Sequence, residues 1–274
     1  MLALQAAQRP LSPPNPAAGA VGHWRRAGVL LAGGGGTLGA AVLNRLLGAG
    51  GFARVELLVH QPMQARPRGL HDRVLAGDKP QAWAALATAA AVALMVFDVA
   101  KAREGALCMP QAEDVLPAAR RFKALGVRCL VLVMPHAPHR LPAALRDGLW
   151  GLDEQALVAL GFEHLALLRP ASSPVNAVGQ VRTPGWRGWG ERLADWILGN
   201  LRFMVPTRHL PVRPDSIAAL LVALVHGLEK QTPAEGAGAS STWVVPAEEV
   251  WAAAQPEGLG PTVRRLLTRG QAPG

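Results

Sequence analysis

Short apolar runs alternate with segments of helical periodicity along most of the chain from residue 28 onward. Apolar runs bounded by Gly, Pro or charged residues are typical of buried strands, whereas apolar positions three and four residues apart are typical of helices. The pattern predicts strands over 28–32, 54–59, 73–75, 91–97, 128–134, 164–168, 210–212 and 242–245. It predicts helices over 37–47, 82–88, 112–125, 142–160, 191–201 and 214–228, and a short helix from 247.

Strands that alternate with helices are typical of a parallel sheet covered by helices on both faces. The pattern therefore predicts an α/β fold, a Rossmann-like doubly wound parallel sheet with a small C-terminal substrate lobe. The Ala- and Pro-rich residues 1–26 are interpreted as a disordered leader, and 27–170 as the Rossmann core. Residues 171–255 are interpreted as a C-terminal lobe that completes the same domain, and 256–274 as a flexible tail.

A glycine-rich turn lies between the first predicted strand and the first predicted helix. Gly33, Gly36 and Gly39 have the GxxGxxG spacing of a dinucleotide-binding turn. The first permits the tight turn, the second a close approach of a pyrophosphate, and the third close packing of helix on strand. The alternative is a plain glycine-rich loop. The candidate cofactor-binding residues here are Gly33, Gly34, Gly35, Gly36, Thr37, Leu38 and Gly39.

The end of the second strand bears on which dinucleotide is bound. NAD-binding proteins commonly place an acidic residue there, which binds the adenosine ribose hydroxyls. This chain has His60 at that point and Arg66 and Arg68 downstream, with no acid nearby. An arginine can pair with a 2′-phosphate bidentately, so the sequence favours NADP, with NAD possible. The alternative is that the arginines are solvated loop residues.

Composition narrows the partners and the compartment. The formal net charge of +9 has no run of basic residues behind it, so specific nucleic-acid binding is not expected. The apolar stretch 82–97 is shorter than a membrane span needs, and the N-terminal residues do not resemble a signal peptide. We therefore expect a cytoplasmic protein without a membrane span. Two cysteines, Cys108 and Cys129, are too few for a disulfide framework or a zinc site, and no metal is expected.

With these residues in place, the chain resembles the atypical short-chain dehydrogenase/reductase group, and within it the Tat-interacting-protein-like oxidoreductases. The likeness rests on residues 29–39, 51–55, 77–78, 101–106, 162–170 and 208–217. The resemblance implies a Rossmann fold with the glycine turn on the pyrophosphate. It also implies Asp78 near the adenine, and Pro170 and the loop after it beside the nicotinamide.

The chain departs from that family at the catalytic residues. The family reduces carbonyls with a Ser that polarises the carbonyl, a Tyr that donates the proton and a Lys that lowers the pKa of the Tyr. This sequence contains no tyrosine. The position of the Ser falls near Met134, and those of the Tyr and Lys near Arg146 and Trp150. The standard carbonyl chemistry is therefore absent.

His136, just past the fifth strand, is the candidate substitute acid because a histidine titrates near neutrality. The alternative is that it belongs to a rigid polar loop. Asp98, after the fourth strand, is interpreted as a turn residue. Trp186 and Trp189 could form an aromatic lid or a surface for an unknown small molecule or protein partner.

Two functions remain open from the sequence. One is an NADP-dependent oxidoreductase that uses a non-standard acid, or whose substrate needs none. The other is a catalytically inactive, nucleotide-binding regulatory or protein-interaction module.

Overall fold

A computed structural model describes residues 28–48, 51–64, 66–75, 77, 80–98, 104–135, 152–171, 211–230 and 240–269. Seven strands form one sheet in the order β3-β2-β1-β4-β5-β6-β7. Every neighbouring pair is parallel. The strands are β1 (Val29–Ala32), β2 (Val55–Val59), β3 (Leu70–Val74), β4 (Val92–Val96), β5 (Cys129–Val133), β6 (His164–Leu168) and β7 (Ser241–Val245).

The described helices connect and cover these strands. Two of the connecting segments are 3₁₀ turns, Pro80–Ala85 and Ala112–Asp114. The α-helices are α1 (Gly36–Gly48), α2 (Val115–Ala124), α3 (Leu152–Ala159), α4 (Pro214–Glu229), α5 (Ala247–Ala253) and α6 (Leu259–Arg269). The predicted Rossmann-like doubly wound parallel sheet is confirmed.

The sheet is buried on both faces, which explains why its central strands read as unbroken apolar runs. Alternate residues of β1 belong to two different cores. Val29 and Leu31 pack with α1, α4, α5 and α6, whereas Leu30 packs with the 3₁₀ turn over Pro80–Ala85, with α2 and with α3. Each face of the sheet therefore has its own layer of helices.

The interpretation of residues 256–274 as a flexible tail is wrong for the described part of that segment. Residues 259–269 form α6, in which Thr262, Val263 and Leu266 are buried. The carbonyl of Leu266 accepts a hydrogen bond from the indole Nε1 of Trp243 at 3.0 Å. The apolar face of α6 packs on α4 and α5, and its opposite face carries exposed arginines.

The predicted strand over 210–212 is also wrong where it can be compared, because Pro211 and Val212 lie outside any strand. Pro214 instead opens α4 at its first turn, where the missing N–H of proline costs no hydrogen bond. The predicted helix over 191–201 lies outside the described residues.

Candidate functional site

The candidate site lies at the carboxyl ends of β1 and β4. β1 and β4 are neighbours in the sheet. The chain leaves β1 towards β2 on one side and leaves β4 towards β5 on the other, so the two connections diverge between these strands. Open α/β sheets bind ligands in the crevice at such a topological switch point. The glycine turn of residues 33–39 joins β1 to α1 at this point.

The backbone of the turn needs glycine at two of its positions for different reasons. Gly33 has a φ of +84°, and a Cβ there would lie 1.9 Å from the carbonyl oxygen of Val96. A Cβ at Gly39 would lie 2.1 Å from the carbonyl oxygen of Gly33. These two glycines therefore allow the turn to pack against β4 and the start of α1 to pack against the turn.

Gly35, in the middle of the turn, lies against the ends of side chains instead. Gly36 also has a positive φ, of +72°. A Cβ at Gly35 would meet the Sδ of Met109 at 2.9 Å and a carboxylate oxygen of Glu104 at 3.0 Å. These neighbours are the ends of side chains, so glycine here leaves a cradle for a group that approaches the backbone closely.

Two carboxylates bind donors at the start of α1, and one of them, that of Glu104, lies beside Gly35. The amide of Gly36 donates to Oε2 of Glu104 at 2.6 Å. The amide of Leu38 donates to Oδ2 of Asp98 at 2.6 Å, and the hydroxyl of Thr37 donates to the same oxygen at 3.4 Å. Negative groups are stabilised at a helix N-terminus by its unpaired amides and its dipole. The start of α1 is thus an anion-binding position that the chain's own acids fill.

Residues 104–109, which we call the capping segment, hold Glu104 in this position. The amide of His60 donates to Ala106 at 2.7 Å, and the amide of Cys108 donates to Leu58 at 3.2 Å. Leu107 forms an isolated antiparallel bridge with Val59. The segment therefore pairs alongside the end of β2, between that strand end and the glycine turn. Its Cys108 carbonyl also accepts the amide of Gly33 at 2.9 Å.

A cleft of about 290 Å³ lies on the other side of the capping segment. Glu104, Leu107 and Met109 face both the cleft and the glycine turn. Its described lining comprises His60, Leu75, Gly77, Trp83, Glu104, Gly105, Leu107, Cys108, Met109, Gln111 and Asp114. No residue of the glycine turn is among these, so the capping segment stands between the cleft and the turn amides.

The cleft has a rigid wall on the side of α2. The indole Nε1 of Trp83 donates to Oδ1 of Asp114 at 3.0 Å, and both side chains are buried. The other carboxylate oxygen of Asp114 accepts the amide of Gln111 at 2.8 Å. The Trp83 ring also packs edge-on against Phe122, with ring centroids 5.8 Å apart. This network fixes an aromatic side chain beside the cleft.

Of the residues predicted to select NADP, His60 lies at the carboxyl end of β2. Arg68 lies just before β3, at the opposite edge of the sheet from the glycine turn, because Leu70 of β3 pairs with Val55 at the start of β2. His60 follows β2 and lines the cleft. The Nε of Arg66 lies 2.9 Å from Oδ1 of Asp72 on β3, and 49% of the Arg66 side chain remains exposed. Arg68 is exposed as well. The sequence does not predict the Asp72 partner of Arg66, because Asp72 lies on the edge strand β3 and not at the end of β2.

Pro170, predicted to lie beside the nicotinamide, is the second residue after β6 and is buried. The neighbouring Arg169 is fully buried, and its Nη2 lies 2.7 Å from a carboxylate oxygen of Glu154 on α3. The backbone amide of Arg169 donates to Val245 of β7 at 2.9 Å. This end of β6 is therefore held by a buried ion pair and by the sheet.

Several predicted functional residues lie outside the described residues. They are Asp78, His136, Trp186 and Trp189. Within the described ranges, no three His, Cys, Asp or Glu side chains are grouped so that they could hold a metal ion. None of the helices described is long and apolar enough to cross a membrane.

No protein-family model matches the sequence, and no curated protein matches it. Many solved structures have a similar fold, including the following three. One is the UDP-Glc/GlcNAc 4-epimerase of Campylobacter jejuni, at 13% identity over 82% of each chain, with a TM-score of 0.48. Another is the triphenylmethane reductase of Citrobacter sp. complexed with NADP(H), at 14% identity over 79% of this chain and 68% of that chain, with a TM-score of 0.45.

The third is the uronate dehydrogenase of Agrobacterium tumefaciens, at 15% identity over 91% of each chain, with a TM-score of 0.43. At these identities and TM-scores the likenesses carry no argument about activity. The function is therefore argued from the site of this chain alone.

Proposed function

We propose that this protein is an NAD(P)-binding, oxidoreductase-like protein of the short-chain dehydrogenase/reductase type without the Ser-Tyr-Lys chemistry of that group. The observation that supports it is the pair of amides at the start of α1, Gly36 and Leu38, which already bind carboxylate oxygens at 2.6 Å. A donor set that holds two carboxylates has the charge preference and the geometry to hold a phosphate. It lies at the switch point of a Rossmann-like sheet, the position at which open α/β sheets bind ligands.

In this proposal, the chain's own residues bind and orient the cofactor. The amides of Gly36 and Leu38 would hold the pyrophosphate, and the absence of a side chain at Gly35 would leave room for it. The cleft beside Trp83 would accept a flat base. A bound nicotinamide dinucleotide would supply hydride transfer.

We propose NADP as the preferred form, with NAD as the alternative. The support is the absence of an acidic residue directly after β2, where His60 stands, and the exposed Arg66 downstream. Arg66 keeps about half of its side chain in solvent while Asp72 holds its Nε. Asp72 already restrains the guanidinium of Arg66. Less side-chain entropy is therefore lost when the other N–H groups of Arg66 bind a 2′-phosphate.

The test is a titration of the purified protein with NADPH and NADH, followed by energy transfer from its tryptophans to the reduced nicotinamide. We expect both to bind, with NADPH binding more tightly. Gly35→Val, which fills the cradle with a branched side chain, should abolish binding. Gly48→Ala, at the far end of the same helix with no atom within 4 Å of the new Cβ, should bind as the natural protein does.

A second function is favoured by one observation, the absence of tyrosine from the sequence. It is a catalytically inactive module that binds the dinucleotide and regulates or contacts another molecule. Binding without turnover on a panel of carbonyl substrates would support the module. Turnover that His136→Ala abolishes would support the enzyme with a substitute acid. If neither cofactor binds to any variant, both functions are wrong.

A further inference from the structure

We propose that the capping segment is an autoinhibitory element, in which Glu104 acts as an internal mimic of phosphate and must leave the glycine turn before a dinucleotide can bind. The inference rests on the proposed function, since it concerns the regulation of the same site. Its basis is that an acidic side chain of this segment occupies the amide of Gly36, one of the two amides proposed to hold the pyrophosphate.

The backbone amides of the glycine turn already have acceptors. The amide of Gly36 is bound to Glu104 at 2.6 Å, and that of Gly33 to the carbonyl of Cys108 at 2.9 Å. Asp98 holds the amide of Leu38 at 2.6 Å from the other side of the helix start. A phosphate oxygen can reach these amides only by displacing the oxygens that now accept from them, because an N–H donates one strong hydrogen bond.

The negative charges of two carboxylates also oppose the binding of a pyrophosphate. A pyrophosphate brought to this position would lie beside the carboxylates of Glu104 and Asp98. Like charges at hydrogen-bond distance repel strongly in a partly buried site. The two acids therefore disfavour the dinucleotide in addition to blocking it, as long as they remain at the turn.

The path of the capping segment is a steric barrier to a ligand. Residues 104–109 separate the cleft beside Trp83 from the turn amides, so a ligand with its base in the cleft would have to cross them. The segment is attached to β2 by the two hydrogen bonds that form the single bridge between Leu107 and Val59. A short attachment of this kind can separate while the parallel sheet beneath it stays intact.

Capping of α1 alone would also place an acid at this position, and the two roles predict different outcomes. A purely structural cap stabilises the helix and leaves ligand affinity unchanged when it is removed. An autoinhibitory mimic competes with the ligand, so its removal tightens binding. Asp98 would still cap Leu38 when Glu104 is replaced, so the helix start keeps one acid.

The experiment measures NADPH affinity by calorimetry for the natural protein, Glu104→Gln and Glu104→Ala, together with the thermal midpoint of each. Gln keeps an acceptor but removes the charge, and Ala removes both. We expect the dissociation constant to fall about threefold or more in Glu104→Gln and about tenfold or more in Glu104→Ala, the size expected for loss of a charged competitor. Glu113→Gln, an exposed acid outside the cleft, should not change it.

The outcomes separate the two proposals. If the natural protein binds NADPH and both Glu104 variants bind it within twofold of the same affinity, the autoinhibitory role is wrong and the proposed function stands. If weaker binding follows loss of Glu104, this acid supports the site and the inference is overturned. If neither the natural protein nor any variant binds NADPH or NADH, the proposed function fails and the inference fails with it.

Discussion

At the scale of single residues, the glycine turn divides into positions that the fold requires and positions that the site uses. Gly33 and Gly39 have backbone atoms where a Cβ would lie, whereas Gly35 has the ends of side chains there. The GxxGxxG spacing predicted the turn but could not make this division. The contacts of Asp98 and Glu104 with the turn cannot be predicted from the sequence. These acids lie 60 and 68 residues from the amides they bind, and no local pattern connects them.

Gly33→Ala tests the first kind of position. It forces an alanine to a φ of +84° and places its Cβ against the carbonyl of Val96, so we expect the free energy of unfolding to fall by about 3 kcal/mol or more. Gly48→Ala has open space around the new Cβ and should change it by less than about 1 kcal/mol. Urea unfolding of the two variants provides the measurement, and equal midpoints would contradict the assignment.

His164 makes stability depend on pH. Burial of this side chain, which stacks on Trp243 at 5.3 Å, is the main cause that lowers its pKa from 6.5 to about 4. Because the unfolded chain takes up the proton first, the stability present above pH 6.5 is lost as the pH falls to about 4. The loss should be on the order of 2–3 kcal/mol.

Thermal unfolding between pH 7 and pH 4 checks this expectation. His164→Gln should remove most of the dependence on pH in that window, whatever its effect on stability at pH 7. His71→Gln, at an exposed position of β3, is the matched control and should keep the dependence. A His164→Gln profile parallel to that of the natural protein would refute the role of His164.

At the scale of elements, the sequence predicted best those strands that are apolar throughout. The bounds of β4, β5 and β6 agree with the prediction to within one residue at each end because each is buried on both faces. β3 was predicted three residues late. It carries His71, Asp72 and Arg73, so it has no apolar run, and it is held to β2 by polar side chains instead.

Glu56 is the centre of that polar attachment. Its carboxylate is 1% exposed and accepts two hydrogen bonds from the guanidinium of Arg73, at 2.9 and 2.8 Å, and one from Thr88 at 2.6 Å. Burial raises the pKa of Glu56, but these hydrogen bonds and the Arg73 charge outweigh burial and hold the pKa below its usual 4.5. The Glu56–Arg73 ion pair therefore makes its full contribution to stability above about pH 4.5. This contribution is lost as the pH falls below 4.5.

Glu56→Gln should therefore lower the free energy of unfolding at pH 7 by about 2–3 kcal/mol, since it breaks a largely buried ion pair. The difference from the natural protein should narrow below pH 4.5, as the natural carboxylate becomes protonated. Glu257→Gln, on an exposed turn, should stay within about 0.5 kcal/mol at every pH. Chemical unfolding at pH 7 and pH 3.5 measures both, and a gap that does not narrow contradicts the linkage.

At the scale of the whole molecule, the C-terminal segment belongs to the fold. The sequence concealed α6 because its exposed face is polar and arginine-rich, which resembles a solvated tail. Its attachment is tertiary: Leu266 is buried, and the side chain of Arg269 lies 2.7 Å from Glu249 on α5. These contacts are with residues about 20 positions or more away, so no local pattern reveals them.

Leu266→Ala should accordingly destabilise the protein by about 3 kcal/mol, the usual effect of removing a buried leucine side chain. Arg265→Ala replaces an exposed neighbour on the same helix and should change the free energy of unfolding by less than about 0.5 kcal/mol. Denaturant unfolding compares the two. Equal stability of both variants would restore the interpretation of a flexible tail.

The central claim is that a dinucleotide binds the turn of residues 33–39 by displacing the capping segment. Hydrogen exchange with and without saturating NADPH, read on peptides that cover 33–39 and 104–109, tests it most directly. We predict changes of opposite sign: exchange slows in the turn as its amides bind phosphate, and it accelerates in the capping segment as its hydrogen bonds to β2 open. Slower exchange in both peptides, or no change in either at saturation, would contradict the claim.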